Sequence, residues 1–89
     1  MATVHLDAML GEFVRVREVQ SKGPDVRAML EELEGRYPRL TGKLRDETGA
    51  IRRFVRIFVN GVDVRGREGL ATALGPADQV DILHSIAGG

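Results

Sequence analysis

The stretch IRRFVRIFVNGVDV, residues 51–64, does most to limit what this chain can become. Val55, Ile57 and Val59 alternate with Phe54, Arg56 and Phe58, so one set faces a core and the other faces away. Asn60-Gly61 then stands between two β-prone runs. A two-residue type I′ turn needs positive φ at both central positions, and Asn-Gly is the pair that tolerates it best. Val62 and Val64 return on a second arm. A chain of 89 residues containing such a hairpin has room for one domain with one modest core, built on a sheet.

The other elements follow from periodicity. Val4, Leu6 and Ala8 alternate with His5 and Asp7, the pattern of a half-buried strand. Gly11 interrupts it. Val14, Val16 and Val19 suggest a second strand over Phe13 to Gln20, with a bulge where the spacing slips, and the two segments read as a hairpin. Ser21-Lys22-Gly23-Pro24 is a turn by composition, and Asp25 is placed to cap a helix. Val26, Met29, Leu30, Leu33 and Tyr37 share one helical face, and Pro38 ends the helix, which is expected over about 25–36. Residues 39–50 carry a weak signal, with Leu40 and Leu44 able to anchor a short turn over the core. Leu70, Ala73 and Leu74 suggest a brief helical turn. Gly75-Pro76-Ala77-Asp78 is a tight turn, and Val80, Ile82 and His84 mark a last strand. The order predicts an α+β fold. It is a mixed sheet of four to five strands with one main helix across one face and the terminal strands meeting in the middle.

Composition excludes several classes of function. Lys plus Arg and Asp plus Glu both number 13, so no net field draws in nucleic acid or an anionic membrane. Arginine is dense at Arg52, Arg53, Arg56, Arg65 and Arg67. A solvated strand edge is the simpler reading, and a docking surface for an acidic protein the alternative. Cysteine is absent, which rules out a disulfide scaffold, a thiol nucleophile and a Cys-based zinc site, and fits a reducing cytosol. The first residues lack a signal-peptide pattern, and no run approaches the ~18–20 apolar residues of a membrane span, so a cytoplasmic protein is expected.

Familiar catalytic constellations are missing. His5 and His84 sit on predicted strands without a nucleophile or metal partner at useful spacing, so they read as core or surface filler. Gly61, Gly66 and Gly69 do not make a phosphate loop, because no long helix follows to supply its N-terminal dipole. What stands out is the ending, ILHSIAGG. A chance pair of final glycines has a probability of about 0.5% if Gly makes up ~7% of residues. A glycine tail has no Cβ and can thread a narrow channel. Its carboxylate is then able to reach ATP in a partner's site. The competing explanation is a frayed end with no role.

The segments FVRIFVNGVDVR, GLATAL and DQVDILHSIAGG, supported by the early strands and DVRAMLEELEGRYP, closely resemble the sulfur-carrier branch of the ubiquitin-like proteins, the MoaD/ThiS type. That branch includes the molybdopterin-synthase small subunit, the thiamine sulfur carrier and especially the CysO-like carrier of cysteine biosynthesis. The resemblance implies a β-grasp (ubiquitin-like) fold over residues 1–89, with a Gly-Gly tail at about 86–89. It also implies that the chain is not itself an enzyme but a covalent co-substrate. An E1-like adenylyltransferase would use ATP to adenylate the Gly89 carboxylate, a thiocarboxylate would replace it, and a downstream synthase would accept the sulfur. Gly89 is then the modified residue, and Ala87 and Gly88 thread into the partner site. Phe54, Arg56, Phe58, Leu83 and Ile86 form the partner interface, on the assumption that both phenylalanines face outward from the sheet. No metal or intrinsic cofactor is implied, and the free chain is expected to be a monomer. One departure from the family pattern is visible: His84-Ser85 stands where the family often has proline. Two alternatives use the same tail differently. One is a protein modifier forming isopeptide bonds through Gly89, the other a non-covalent β-grasp interaction module.

Overall fold

In the computed structural model, residues 1–84 are described. They form five strands and two helices. The strands are β1 (Ala2–Leu6), β2 (Glu18–Ser21), β3 (Val55–Val59), β4 (Val62–Asp63) and β5 (Gln79–His84), and the helices are α1 (Ala8–Val14) and α2 (Val26–Arg36). The sheet order is β2-β1-β5-β3-β4. β1 and β5 run parallel at the centre, in register from Thr3 opposite Gln79 to Leu6 opposite Ile82. The β1–β2, β3–β4 and β3–β5 pairs are antiparallel, so the sheet is mixed. This is the mixed α+β sheet predicted from the element order and the β-grasp that the resemblance implies.

α2 forms where the apolar spacing calls for it. Asp25 is extended, with φ −151°, and its side chain accepts from Ala28 N–H at 2.8 Å. That satisfies one of the amides a helix leaves unpaired at its start. Val26, Met29, Leu30 and Leu33 are fully buried against Val4, Leu6, Val55, Ile57, Val59, Val80 and Ile82 of the sheet. Burial of side chains of this size stabilises the fold by roughly 1.5–3 kcal/mol each, before chain entropy is counted. After Pro38 the chain makes one 3-10 turn over Pro38–Leu40. Leu40 and Leu44 are both buried, so the weakly patterned segment does anchor over the core. Arg45 fastens it to α2 through a two-pronged ion pair, Nε to Glu34 Oε2 at 3.1 Å and Nη2 to Glu34 Oε1 at 2.6 Å. The hydrogen bonds to Glu34 raise the already high pKa of the Arg45 guanidinium, against the opposing effect of burial and with Coulomb attraction from Glu34 and Glu31 adding to the rise.

The second predicted strand needs correction. Residues 8–14 are helical, and β2 begins only at Glu18. The β1–β2 pair is therefore closed by α1, not by a tight turn. Val14 and Val16 pack against the core from this connection and not from a strand. Asp7 accounts for the difference. Its side chain accepts from Leu10 N–H at 2.8 Å, capping a helix whose Leu10 and Gly11 are buried. A capped apolar turn outweighs the β preference of two valines. Residues 51–54 also lie outside β3, which begins at Val55.

Candidate functional site

The expected chemistry lies at the end of β5. Ser85, Ile86, Ala87, Gly88 and Gly89 fall outside the described residues, so the structure defines the root from which they leave. That root is His84, opposite Val55 of β3. It is held on its other edge too, where its backbone N–H donates to Asp7 Oδ2 at 2.6 Å. Its ring meets Phe54 edge-on, with centroids 4.9 Å apart and planes at 63°. His84 Nδ1 is buried and has no hydrogen-bond partner among the described residues. The filler reading of His84 fits the packing of its ring on Phe54, and the bond from its backbone N–H to Asp7 is the contact that reading leaves out.

Next to this root lies the face of the sheet that α2 does not cover. Leu83 projects there with 41% exposure. Arg56 lies opposite Leu83, and Phe58 lies opposite both Asp81 and Asp63. Phe58 is half-buried and Arg56 exposed. Arg56 Nη1 is 3.5 Å from Asp63 Oδ2, a distance and exposure at which the pair contributes at most about 1 kcal/mol. Leu83, Arg56 and Phe58 thus form an apolar surface with a loosely held cation beside it, bordered by two aspartates.

Phe54 does not belong to that surface. It precedes β3, so the alternation that turns Phe58 outward does not extend to it. It is half-buried, packs against the core and supports the His84 ring. The expectation that both phenylalanines face outward therefore holds for Phe58 and fails for Phe54. The signal that strand residues alternate was applied one residue too far toward the N-terminus.

Of the clustered arginines, Arg52 donates through Nε to Gly42 O at 2.7 Å, and Arg65 through Nη2 to Arg52 O at 3.0 Å. Both are occupied in fastening loops. Phe13 of α1 lies beneath two cations, Arg39 at 4.9 Å and Lys43 at 5.2 Å. No group of three or more His, Cys, Asp or Glu side chains converges as a metal site among the described residues. No helix among them is long and apolar enough to cross a membrane.

Residues 5–89 match the model of the ThiS family, so the match runs through the last glycine. The chain belongs to the ThiS family. It is 40% identical over 75 residues to the sulfur carrier protein CysO of Mycobacterium tuberculosis, covering 82% of this chain and 81% of that one. A chain of the Amycolatopsis orientalis BexX/CysO complex superposes with a TM-score of 0.88 at 29% identity, over 100% of both chains. Small archaeal modifier protein 1 of Methanosarcina acetivorans superposes with a TM-score of 0.86 at 31% identity, over 99% of this chain and 95% of that one. The family is thus one of ubiquitin-like sulfur carriers, and its relatives include proteins named as modifiers.

Proposed function

We propose that this chain carries sulfur as a C-terminal thiocarboxylate on Gly89. The observation that supports this most is the family match, which extends through Gly88-Gly89, together with 40% identity to a sulfur carrier protein. In the proposed cycle an E1-like enzyme binds ATP and the tail. The Gly89 carboxylate oxygen attacks the α-phosphorus, and pyrophosphate leaves. The acyl-adenylate is a far better electrophile than the carboxylate. Hydrosulfide adds at its carbonyl carbon, AMP departs as the C–O bond to the phosphate breaks, and loss of the S–H proton leaves the thiocarboxylate. A downstream synthase then takes the sulfur. In this reading the chain is a covalent co-substrate, not a catalyst. It is one cytoplasmic domain, monomeric when free, and engages neither nucleic acid nor membrane.

The sheet face beside the tail is the proposed docking surface. Phe58 and Leu83 supply apolar area there, Arg56 supplies a cation for an acidic group of the partner, and Ile86, an apolar residue of the tail sequence, is proposed to join the contact. Ala87 and Gly88 are small enough to pass through a narrow entrance to the ATP site. Phe54 acts from beneath, through His84. The test is intact-mass analysis after incubation with ATP, an E1-like enzyme and a sulfide source. Exchange of one oxygen for sulfur adds about 16 Da, and deletion of Gly89 should abolish the gain without changing the melting transition. An unchanged mass with an activating enzyme that converts a relative would count against the proposal. The structural likeness to a modifier protein favours one second reading, isopeptide conjugation through Gly89. Gly-Gly remnants on lysines of other proteins would support it.

A further inference from the structure

We propose that Asp7 is a positioning residue: its carboxylate pins His84, the last described residue of β5, to the edge of β1 and so fixes the point from which residues 85–89 extend. The proposal rests on the carrier reading above. The parallel ladder between β1 and β5 advances by two residues per rung. Thr3 N–H donates to Asp78 O, and Asp7 N–H donates to Ile82 O at 3.1 Å. The next donor on this edge of β5 is His84 N–H. A β1 continuing straight on would meet it with a backbone carbonyl. Here β1 turns into α1, and Asp7 C=O is taken by Gly11 N–H at 2.7 Å. The side chain supplies the missing rung instead. Oδ1 caps α1 through Leu10 N–H at 2.8 Å, and Oδ2 accepts from His84 N–H at 2.6 Å.

One carboxylate therefore ends one element and starts another. A charge-assisted hydrogen bond of this kind is stronger than an ordinary ladder bond. The His84 ring adds a second fastening against Phe54, with Nδ1 buried and without a hydrogen-bond partner among the described residues. A residue kept here for packing alone would be apolar, because an unpaired buried polar atom destabilises the fold. Five residues, 85–89, separate this anchor from the terminal carboxylate. At ~3.3–3.6 Å per extended residue their reach is at most about 18 Å, so the anchor limits where Gly89 can be delivered relative to a docked sheet face. Releasing His84 would let the departure point wander. A partner would then find the productive presentation in only a fraction of molecules, which raises the apparent KM and leaves kcat alone.

Three variants separate this role from helix capping. Asp7→Asn keeps a cap acceptor but presents an amide N–H₂ to the His84 amide. Asp7→Ser keeps a cap acceptor and is too short to reach His84. Asp7→Ala loses both. Two measurements are made on each full-length chain: hydrogen exchange of the His84 amide, and the kinetics of thiocarboxylate formation by the activating enzyme that converts the wild type. All three variants should lose His84 protection and show a KM raised about tenfold, with kcat within twofold of wild type. All three variants lose the His84 bond, and Asp7→Ala should show the largest fall in melting temperature because it loses the cap as well. If Asp7→Asn and Asp7→Ser lose His84 protection but keep the wild-type KM, the inference is wrong and the carrier reading stands. Retained protection in both variants would also overturn it. A wild-type chain that gains no sulfur removes the carrier reading, and the inference with it.

Discussion

Two strand pairs in this molecule are joined in opposite ways. β3 and β4 are joined by Asn60-Gly61, with φ of 51° and 84°, the positive pair that a type I′ turn requires. β1 and β2 are joined by α1 and a C-cap at Arg15, which holds φ at 65° without being glycine. The first connection is local chemistry: two residues dictate it wherever the pair stands. The second depends on context, since α1 has only seven residues and would not persist alone in water. It exists because Leu10 is buried and Asp7 caps it. The site follows the same division. The proposed docking face grows from the locally dictated hairpin, while the anchoring of His84 depends on a carboxylate from the context-dependent connection.

The largest expected effect tests whether α1 belongs to the core. Leu10→Ala should destabilise the protein by about 2–4 kcal/mol, the usual cost of emptying a fully buried leucine site. Val62→Ala, at a residue 48% exposed in the other connection, should stay within about 0.5 kcal/mol. Urea midpoints at constant m-value measure both. A Leu10→Ala cost below about 1 kcal/mol would make α1 a surface appendage and erase the contrast.

The same contrast explains what could be read without the fold. Residues 55–61 and α2 carry their structure in spacing, turn residues and a cap, and Val55, Ile57, Val59 and Leu33 are buried as that spacing implies. Arg56, Phe58 and Leu83 likewise lie on the face opposite the helix. The α1 segment was open to two readings. Its valines favoured a strand, and the competing sign, Asp7 three residues before Leu10, is short enough to pass for ordinary alternation. Phe54 was misplaced because β3 starts one residue after it. The Asp7–His84 contact spans 77 positions, and no local pattern reports a bond between chain segments that far apart. The glycine ending stands out in the sequence, whereas the anchoring of His84 through Asp7 does not.

A smaller pair of effects, opposite in sign, sharpens the comparison at the two positive-φ positions. Gly61→Ala should cost about 1–2 kcal/mol, since a side chain there has open space around it but the backbone conformation disfavours any L residue. Arg15→Gly should stabilise by about 0.5–1 kcal/mol: it relieves left-handed strain and loses part of the gain to a more flexible unfolded chain. Denaturation midpoints again decide. If Arg15→Gly destabilised the protein, the Arg15 side chain would be holding the α1 connection, and the difference between the two turns would be one of packing and not of backbone.

The smallest effect concerns how the locally dictated turn is tied to β5. Asn60 Nδ2 donates to Asp78 Oδ1 at 2.9 Å, and Gln79 N–H donates to Asn60 Oδ1 at 2.9 Å. Gly75 N–H also donates to Asp78 Oδ2. The Gly75 amide first, and Asn60 second, hold the Asp78 carboxyl below its ordinary value against a slight upward push from burial. A carboxyl depressed in the folded state contributes stability that is fully present above its unfolded pKa, about 3.9. That stability is lost as the pH falls through the lower folded value. Asp78→Asn should therefore be less stable than wild type at pH 7 and converge with it in acid, where wild-type Asp78 is also neutral. Asp78 is half-buried and still reached by solvent, so the gap should be small and should shrink further in high salt. Paired thermal melts from pH 7 to pH 2 measure it. A difference that stays constant over that range would mean the turn is held by the shape of the side chain at position 78 and not by its charge.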